Sequence, residues 1–348
     1  MTLPGSHASP DFVVFGAGSV GCYLGGRLAA AGSKVHFVGR KRIAAELNAH
    51  GLRLSDLRGG AWTVEPGQLH FSEALPEPCE ADVVLVTVKT AATPVAGRAL
   101  ARTLRPGTTV VAFQNGLHNA AWLRDLLPQC RVLAGMVPFN VLHRGPGEFH
   151  QGSGGELAIE RAAGQEALSA AFSRAGLPLA LHEDMRGVLW SKLLLNLNNA
   201  INALSGQPLQ RELSQRGFRR CLAAAQREAL LPLAVAGVRL ARLVAVPPAL
   251  MPPMLELPDF VYARLVAAGP TIDPLARSSM WEDLEAGRST EVEWINGEVI
   301  RLARSQGREA PVNARLMQLV YEAEKGGERA WAADALWHEL ALARRAVT

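Results

Sequence analysis

The sequence predicts an α/β fold in its first half and an all-α fold in its second half. Before residue 182, apolar runs with strand character alternate with helix-compatible segments, which is typical of a parallel sheet with crossover helices. After residue 182, helix formers dominate and leucines recur at spacings of three and four residues. We therefore predict a doubly wound sheet of Rossmann type over residues 1–182, with residues 1–10 as a mobile lead-in, and a helical domain over residues 183–348.

The first predicted strand leads into a glycine-rich turn. Phe12-Val13-Val14-Phe15 is followed by Gly16-Ala17-Gly18-Ser19-Val20-Gly21, and an Ala- and Leu-rich helical segment continues to residue 31. A strand, a Gly-x-Gly-x-x-Gly turn and a helix in this order are typical of dinucleotide sites, because backbone N–H groups meet a pyrophosphate at the helix N-terminus. We predict that all six residues of the turn bind the coenzyme.

The second predicted strand, Val35–Val38, indicates which dinucleotide is bound. NAD sites usually place Asp or Glu about 20 residues past the glycines, where it bonds the ribose 2′-OH. Here Gly39 and Arg40 follow the strand, and no acidic residue occurs before Glu46. Because a guanidinium group suits a 2′-phosphate, we predict NADP(H) as the cofactor and Arg40 as its reader; the alternative is a solvated loop arginine.

The other elements of the first half follow in order. Residues 52–71 are predicted to form a hairpin or edge strands, residues 83–88, 108–113 and 132–137 buried strands, and residues 145–159 a final hairpin. Lys89 and the triplet Gln114-Asn115-Gly116 come where two of these strands end, and ligands of open α/β sheets sit at such ends. Lys89 could meet an anion and Asn115 could bond a cofactor or substrate, although a solvated lysine and a plain turn remain alternatives.

Four helices are predicted in the second half, over residues 183–204, 211–246, 254–268 and 290–306. Lys192 and Asn196 share one face of the first helix, which is otherwise strongly apolar. Desolvation there would lower the pKa of the lysine toward the range useful for proton transfer, whereas a lysine that reaches the surface is the alternative. Before the last helix, Thr290 and Glu293 have the spacing of a capping box, with Glu291 in the first turn, so a purely structural role also fits these acids.

Composition excludes several classes of function. With 49% hydrophobic and 20% charged residues, the chain fits an ordinary two-domain globular protein, and a net charge of +4 without aromatic-interleaved basic runs argues against a nucleic-acid partner. The four cysteines form no C-x-x-C pair, which argues against a zinc site or disulfide framework and favours the cytoplasm. Residues 1–10 lack the features of a secretory signal, and arginines and prolines interrupt the most apolar later stretch, residues 230–257, so we expect no membrane span.

In combination, these residues resemble the ketopantoate reductases (2-dehydropantoate 2-reductases), NADPH-dependent enzymes of pantothenate synthesis. The resemblance extends over residues 12–324. It depends on the glycine turn, Lys89, Gln114-Asn115-Gly116, Trp190-x-Lys192 with Asn196, Ser278-Ser279-Met280 with Asp283, Thr290-Glu291, Ile295-Asn296-Gly297 and Pro311-x-Asn313.

The resemblance implies hydride transfer from NADPH to the 2-oxo carbon of ketopantoate, in a cleft between a Rossmann domain and a helical domain. It implies that Lys192 is the general acid and that Glu291 is its partner. Asn115, Asn196 and Ser279 would position the substrate. The coenzyme would be held by the glycine turn and Arg40, with Asn115 and Lys89 beside it.

One departure from the family pattern leaves the exact 2-oxo acid open. Many members carry a second Asn two helical turns after the catalytic lysine, and here that position is Ala200. The alternatives are a reductase of the same fold that acts on another 2-oxo acid, a β-hydroxy acid or an imine, and a non-catalytic NADPH sensor. The presence of both Lys192 and Glu291 argues against the sensor, and the apolar helical domain could support a homodimer.

Overall fold

The structure, a computed structural model, describes residues 9–266 and 273–346. The described chain divides into two compact units. The first unit extends to Gln114 and resumes from His118 to Met185, and the second takes in Asn115–Leu117 and the chain from Arg186 onward. The sequence placed the boundary after residue 182; eight of the ten residues predicted as a lead-in lie outside the described residues.

Among its described residues, the first unit contains twelve strands and five α-helices. The strands are β1 (Phe12–Phe15), β2 (Val35–Val38), β3 (Leu52–Asp56), β4 (Ala61–Val64), β5 (His70–Ser72), β6 (Val83–Val86), β7 (Thr109–Ala112), β8 (Arg131–Met136), β9 (Val141–Gly145), β10 (Glu148–Gln151), β11 (Leu157–Glu160) and β12 (Leu179–His182). The helices are α1 (Ser19–Ala30), α2 (Lys41–His50), α3 (Thr93–Thr103), α4 (Asn119–Leu126) and α5 (Glu166–Arg174).

The main sheet has eight strands in the order β12-β11-β8-β7-β6-β1-β2-β5. All of its neighbouring strands pair in parallel except β11, which runs antiparallel to β8. The antiparallel pairing is a detail that the predicted parallel sheet did not include. It has a physical reason, because a hairpin and not a crossover helix connects β8 to β11. The α/β fold with a doubly wound sheet is confirmed.

A second sheet of four strands, in the order β4-β3-β10-β9, lies against α1. The predicted hairpin in residues 52–71 is β3 and β4, and β5 is an edge strand of the main sheet, as the sequence indicated. The hairpin predicted over residues 145–159 begins earlier, at β9, and ends with β10. Since α1 also contacts β1 and β2, its apolar residues on both sides are buried, which fits its Ala- and Leu-rich sequence.

The second unit is helical wherever the structure describes regular elements beyond residue 185. Its helices are α6 (Met185–Asn196), α7 (Asn198–Ser205), α8 (Leu209–Ser214), α9 (Arg216–Val235), α10 (Met251–Leu255), α11 (Asp259–Val266), α12 (Ser279–Glu285), α13 (Val292–Arg304), α14 (Pro311–Glu324) and α15 (Ala333–Arg345). One apolar core joins them. None of the helices in the described ranges is both long and apolar enough to cross a membrane.

Three predicted helices of this unit are wrong in their extent. The helix over residues 183–204 is interrupted at Leu197, so that α6 ends at Asn196 and α7 begins at Asn198. The helix over 211–246 is two helices and ends at Val235, because Gly237 follows with a φ of +65° and Val238 N–H closes a cap on Leu233 O. The helix over 254–268 is also divided, and its last two residues lie outside the described ranges.

Candidate active site

The glycine turn follows β1 and packs directly against the end of β6. Gly16 has a φ of +115°, and a Cβ atom there would lie 2.6 Å from Val88 N. A Cβ on Gly21 would lie 2.4 Å from Gly16 O and 2.7 Å from Thr87 Oγ1. These two positions therefore require glycine, because backbone and strand end approach each other where a side chain would stand. Gly18 has open space around its Cα, so that side of the turn can admit a ligand.

The turn presents backbone donors at the start of α1. Cys22 N–H to Gly18 O (2.8 Å) is the first intrahelical bond, so the amides of Ser19, Val20 and Gly21 come before it. Gly18 is the N-cap residue, and no side chain caps the helix. Amides that precede the first intrahelical bond, together with the helix dipole, can hold a phosphate group.

Arg40 and Lys89 lie at the same edge of the sheet as the glycine turn. The N–H groups of Gly16 and Ala17 donate to Val38 O at 2.9 and 3.0 Å, which joins the turn to the end of β2, two residues before the exposed Arg40. Thr87 Oγ1 donates to Gly16 O at 2.7 Å, which joins the turn to the end of β6, two residues before the exposed Lys89. The structure therefore brings these cations to the two sides of the turn.

Lys192 lies near the end of α6, one turn before Asn196. The side chain is half-buried, and its neighbours Leu193 and Leu194 are buried. Desolvation lowers the pKa of Lys192 from 10.5 to about 8, which is the direction expected from its apolar helix. An amine in this pKa range can both hold and release a proton near neutral pH.

Three predicted site residues form a hydrogen-bonded chain, which we call the amide relay: Asn196, Asn115 and Glu291. Asn196 Nδ2 donates to Asn115 Oδ1 at 3.2 Å, and Asn115 Nδ2 donates to Glu291 Oε2 at 3.2 Å. The three residues lie 81 and 176 positions apart along the chain. The relay is possible because the short segment 115–117 leaves the Rossmann unit and packs with the helical unit.

Glu291 is the N-cap residue of α13, not a member of its first turn. The predicted capping box of Thr290 and Glu293 is absent, because Thr290 N–H donates instead to Glu324 Oε1 of α14 at 2.8 Å. Further along α13, Asn296 Nδ2 donates to Asn313 Oδ1 at 3.1 Å. Both asparagines are fully buried, so these two motif residues tie α13 to α14 away from solvent.

Ser279 is the first residue of α12, and its side chain is exposed. Its neighbour Ser278 is buried and caps the helix, since Ser278 Oγ accepts from Trp281 N–H at 3.1 Å. The structure thus separates the two serines of the motif into a structural cap and an exposed hydroxyl. Ala200, the position that departs from the family pattern, is fully buried in α7.

Sequence reasoning missed several residues that shape the site. Thr87 gave no signal, because its role depends on the contact between two strand ends. Asn202 and Glu212 gave no signal either, because they meet only after different helices have packed. Asn202 Nδ2 donates to Glu212 Oε2 at 2.6 Å, and both side chains are fully buried. Among the described residues, no three His, Cys, Asp or Glu are grouped to hold a metal ion.

Comparison with known proteins agrees with these features. Residues 12–164 match the family described as ketopantoate reductase PanE/ApbA, and residues 184–324 match its C-terminal part. A 2-dehydropantoate 2-reductase from Halobacterium salinarum is 31% identical over 90% of this chain and 99% of its own length. The crystal structure of a PanE/ApbA family ketopantoate reductase from Ralstonia eutropha JMP134 is 30% identical and has a TM-score of 0.74, over 90% of this chain and 99% of that one.

A more distant structure has the same fold. D-mandelate dehydrogenase, in a ternary structure with NADH and anilino(oxo)acetate, superimposes with a TM-score of 0.72 at 18% identity, over 90% of this chain and 99% of that one. The two matched parts of this family cover most of the chain, and their order follows that of its two units. The protein therefore belongs to the ketopantoate reductase family of oxidoreductases.

Proposed function

We propose that the protein reduces ketopantoate to pantoate with NADPH, as a step in pantothenate synthesis. The observation that carries the proposal is the amide relay, in which Glu291, Asn115 and Asn196 are linked one turn from Lys192. A lysine of lowered pKa beside a polar network is the chemistry that ketone reduction needs. Membership of the family, and relatives named 2-dehydropantoate 2-reductase, support the same reaction.

The residues of the first unit fit a dinucleotide. The glycine turn offers amides and open space at Gly18, and Arg40 and Lys89 add positive charge on either side. We assign the 2′-phosphate to Arg40, because no acidic side chain follows β2 where an NAD site would carry one. The reduced nicotinamide, when bound, supplies the hydride for the 2-oxo carbon.

The residues of the second unit handle the proton and the substrate. Addition of a hydride builds negative charge on the ketone oxygen, and the Lys192 ammonium stabilises this charge and then donates its proton. With a pKa of about 8, most of the lysine is protonated at pH 7 and is ready for this step. Glu291 and Asn115 orient the groups around the ammonium, while Asn196 and the exposed Ser279 hydroxyl bond the substrate oxygens.

Steady-state kinetics with a panel of 2-oxo acids and both nicotinamides tests the proposal. We expect the highest kcat/KM for ketopantoate with NADPH. The competing substrate is another 2-oxo acid, because Ala200 departs from the family pattern. A higher kcat/KM for such an acid would assign the protein to another substrate, and a preference for NADH would contradict the role of Arg40.

A further inference from the structure

Glu212 is a buried carboxyl group that the proposed chemistry does not use. It lies in the short helix α8, and its side chain is fully buried. Burial raises the pKa of Glu212 to about 8, while hydrogen bonds from Asn202 and Asn198 act in the opposite direction. A buried carboxyl group is costly to keep, so its contacts indicate what it does.

One of the two partners of Glu212, the Asn202 amide, connects three further segments of the chain. Asn202 Nδ2 donates to Glu212 Oε2 at 2.6 Å and to Gln207 O at 2.9 Å. On its other side, Asn202 Oδ1 accepts from Ser278 N–H at 2.8 Å. The carboxyl group and the carbonyl of Gln207 thus fix which end of the amide faces α8, and the oxygen is left facing α12.

Ser278 connects the Asn202 amide to Ser279, the residue that we propose binds the substrate. It is the N-cap of α12, it is buried, and its Oγ also donates to Asn199 O at 3.2 Å. Ser279 is the next residue and opens the helix. The position of the Ser279 hydroxyl relative to α7, and so to the end of α6 that carries Lys192 and Asn196, therefore depends on the Asn202 amide.

We propose that Glu212 is a positioning residue for the substrate: through the Asn202 amide it fixes the start of α12, and thereby the place of Ser279. The inference rests on the proposed function, because it takes Ser279 as a group that binds the 2-oxo acid. Without the carboxyl group, Asn202 Nδ2 keeps only Gln207 O as an acceptor, so the amide whose Oδ1 accepts from Ser278 N–H is held less firmly. The substrate would then lose a correctly placed hydroxyl, while Lys192 and the glycine turn would keep their places.

The test uses the full chain and the 2-oxo acid that the wild-type protein reduces best. Glu212→Met keeps the side-chain volume and removes both oxygens. We expect it to raise KM for the 2-oxo acid about tenfold, while kcat stays within about threefold of the wild type and KM for the nicotinamide is unchanged. Glu212→Gln keeps an acceptor for Asn202 and should return KM to within about twofold of the wild type. Glu339→Ala, which removes a carboxylate paired with Arg315 at 3.0 Å, is the control for general weakening and should leave KM unchanged.

A double-mutant cycle identifies the route of the effect. If Glu212 acts through Ser279, Glu212→Met should add little to the KM of Ser279→Ala. The proposal would be overturned if Glu212→Met left KM for the 2-oxo acid unchanged or raised KM for the nicotinamide by the same factor. It would also be overturned if Glu212→Gln did not restore KM, or if the effects of the two substitutions on KM multiplied in the double variant. Should Glu212→Met fail to fold, Glu212→Asp, which withdraws the carboxyl group by one methylene, carries the same expectation. A wild-type protein that reduces no 2-oxo acid would instead refute the proposed function.

Discussion

Each of the two units carries one candidate site, and the two sites are built differently. In the Rossmann unit, the candidate site is mainly backbone: Gly16 and Gly21, which no side chain can replace, and the amides at the start of α1, with the exposed Arg40 and Lys89 at the ends of two strands. In the helical unit, it is side chains from separate segments, with Asn196, Asn115 and Glu291 joined over long sequence distances. The comparison shows that a site formed by backbone groups can be recognised from one short sequence motif. A site formed by side chains of several segments cannot, because its residues come together only when the helices pack.

The largest effect should come from the proton donor of the helical unit. We expect Lys192→Ala to lower kcat by about 10³-fold, because the charge on the ketone oxygen then has no ammonium to neutralise it. NADPH affinity, measured by fluorescence titration, should stay within about twofold, since the glycine turn is untouched. Lys325→Ala, at the end of α14, is the matched control and should behave like the wild type. Wild-type turnover in Lys192→Ala would remove its role.

The second largest effect should be a rise in KM for NADPH when Arg40 of the Rossmann unit is replaced. Arg40→Ala should raise KM for NADPH by about 10- to 100-fold, because one charge-assisted contact to a phosphate is lost, and should leave KM for NADH almost unchanged. Arg58→Ala, an exposed arginine in the turn between β3 and β4, provides the control. Equal losses with both nicotinamides would mean that Arg40 does not read the 2′-phosphate.

Turnover, which involves Lys192 of the helical unit, should depend on pH, whereas coenzyme binding by the Rossmann unit should not. Because the protonated form of Lys192 is the donor and its pKa is about 8, kcat/KM for the 2-oxo acid should fall about tenfold per pH unit above about pH 8. NADPH binding should show no such break at this pH. A rate that rises through pH 8 in the direction of ketone reduction would contradict proton donation by this lysine.

The smallest effect concerns stability. Folding lowers the pKa of Lys192 from 10.5 to about 8, so the unfolded chain binds more protons between these pH values and the protein gains stability as pH rises through them. Below pH 8 the lysine is a cost, and Lys192→Met should raise the free energy of unfolding by about 1–2 kcal/mol at pH 7, after allowance for its partial exposure. Denaturant unfolding at pH 7 and pH 10 checks this; a gain that does not shrink at pH 10 would have another cause.

The sequence predicts the features that depend on local spacing, and it does not predict those that depend on tertiary contacts. The turn at Gly16 and Gly21, the strands around it and the shared face of Lys192 and Asn196 depend on local spacing, and the structure has them where the pattern indicates. The transfer of Asn115 into the helical unit depends on tertiary contacts, which no local pattern records.

The errors have the same origin. The capping box at Thr290 fits the local rule, but a carboxylate from another helix, Glu324, takes the N–H group. Glu212 shows no signal in the sequence, because its partner Asn202 belongs to a different helix. The role that we propose for Glu212 also depends on the contact of Asn202 with Ser278, which lies farther along the chain. Long-range hydrogen bonds of this kind decide which polar residues of the helical unit matter.

Transfer of isotope from the coenzyme tests the central claim most directly. NADPH that carries deuterium in its transferable position should give pantoate with deuterium at C2 when incubated with the purified protein and ketopantoate, as read by mass spectrometry of the product. Lys192→Ala should give almost none under the same conditions while still binding the coenzyme. Absence of labelled pantoate from the wild-type reaction would contradict the assignment of the backbone site to the hydride source and of the side-chain site to the ketone.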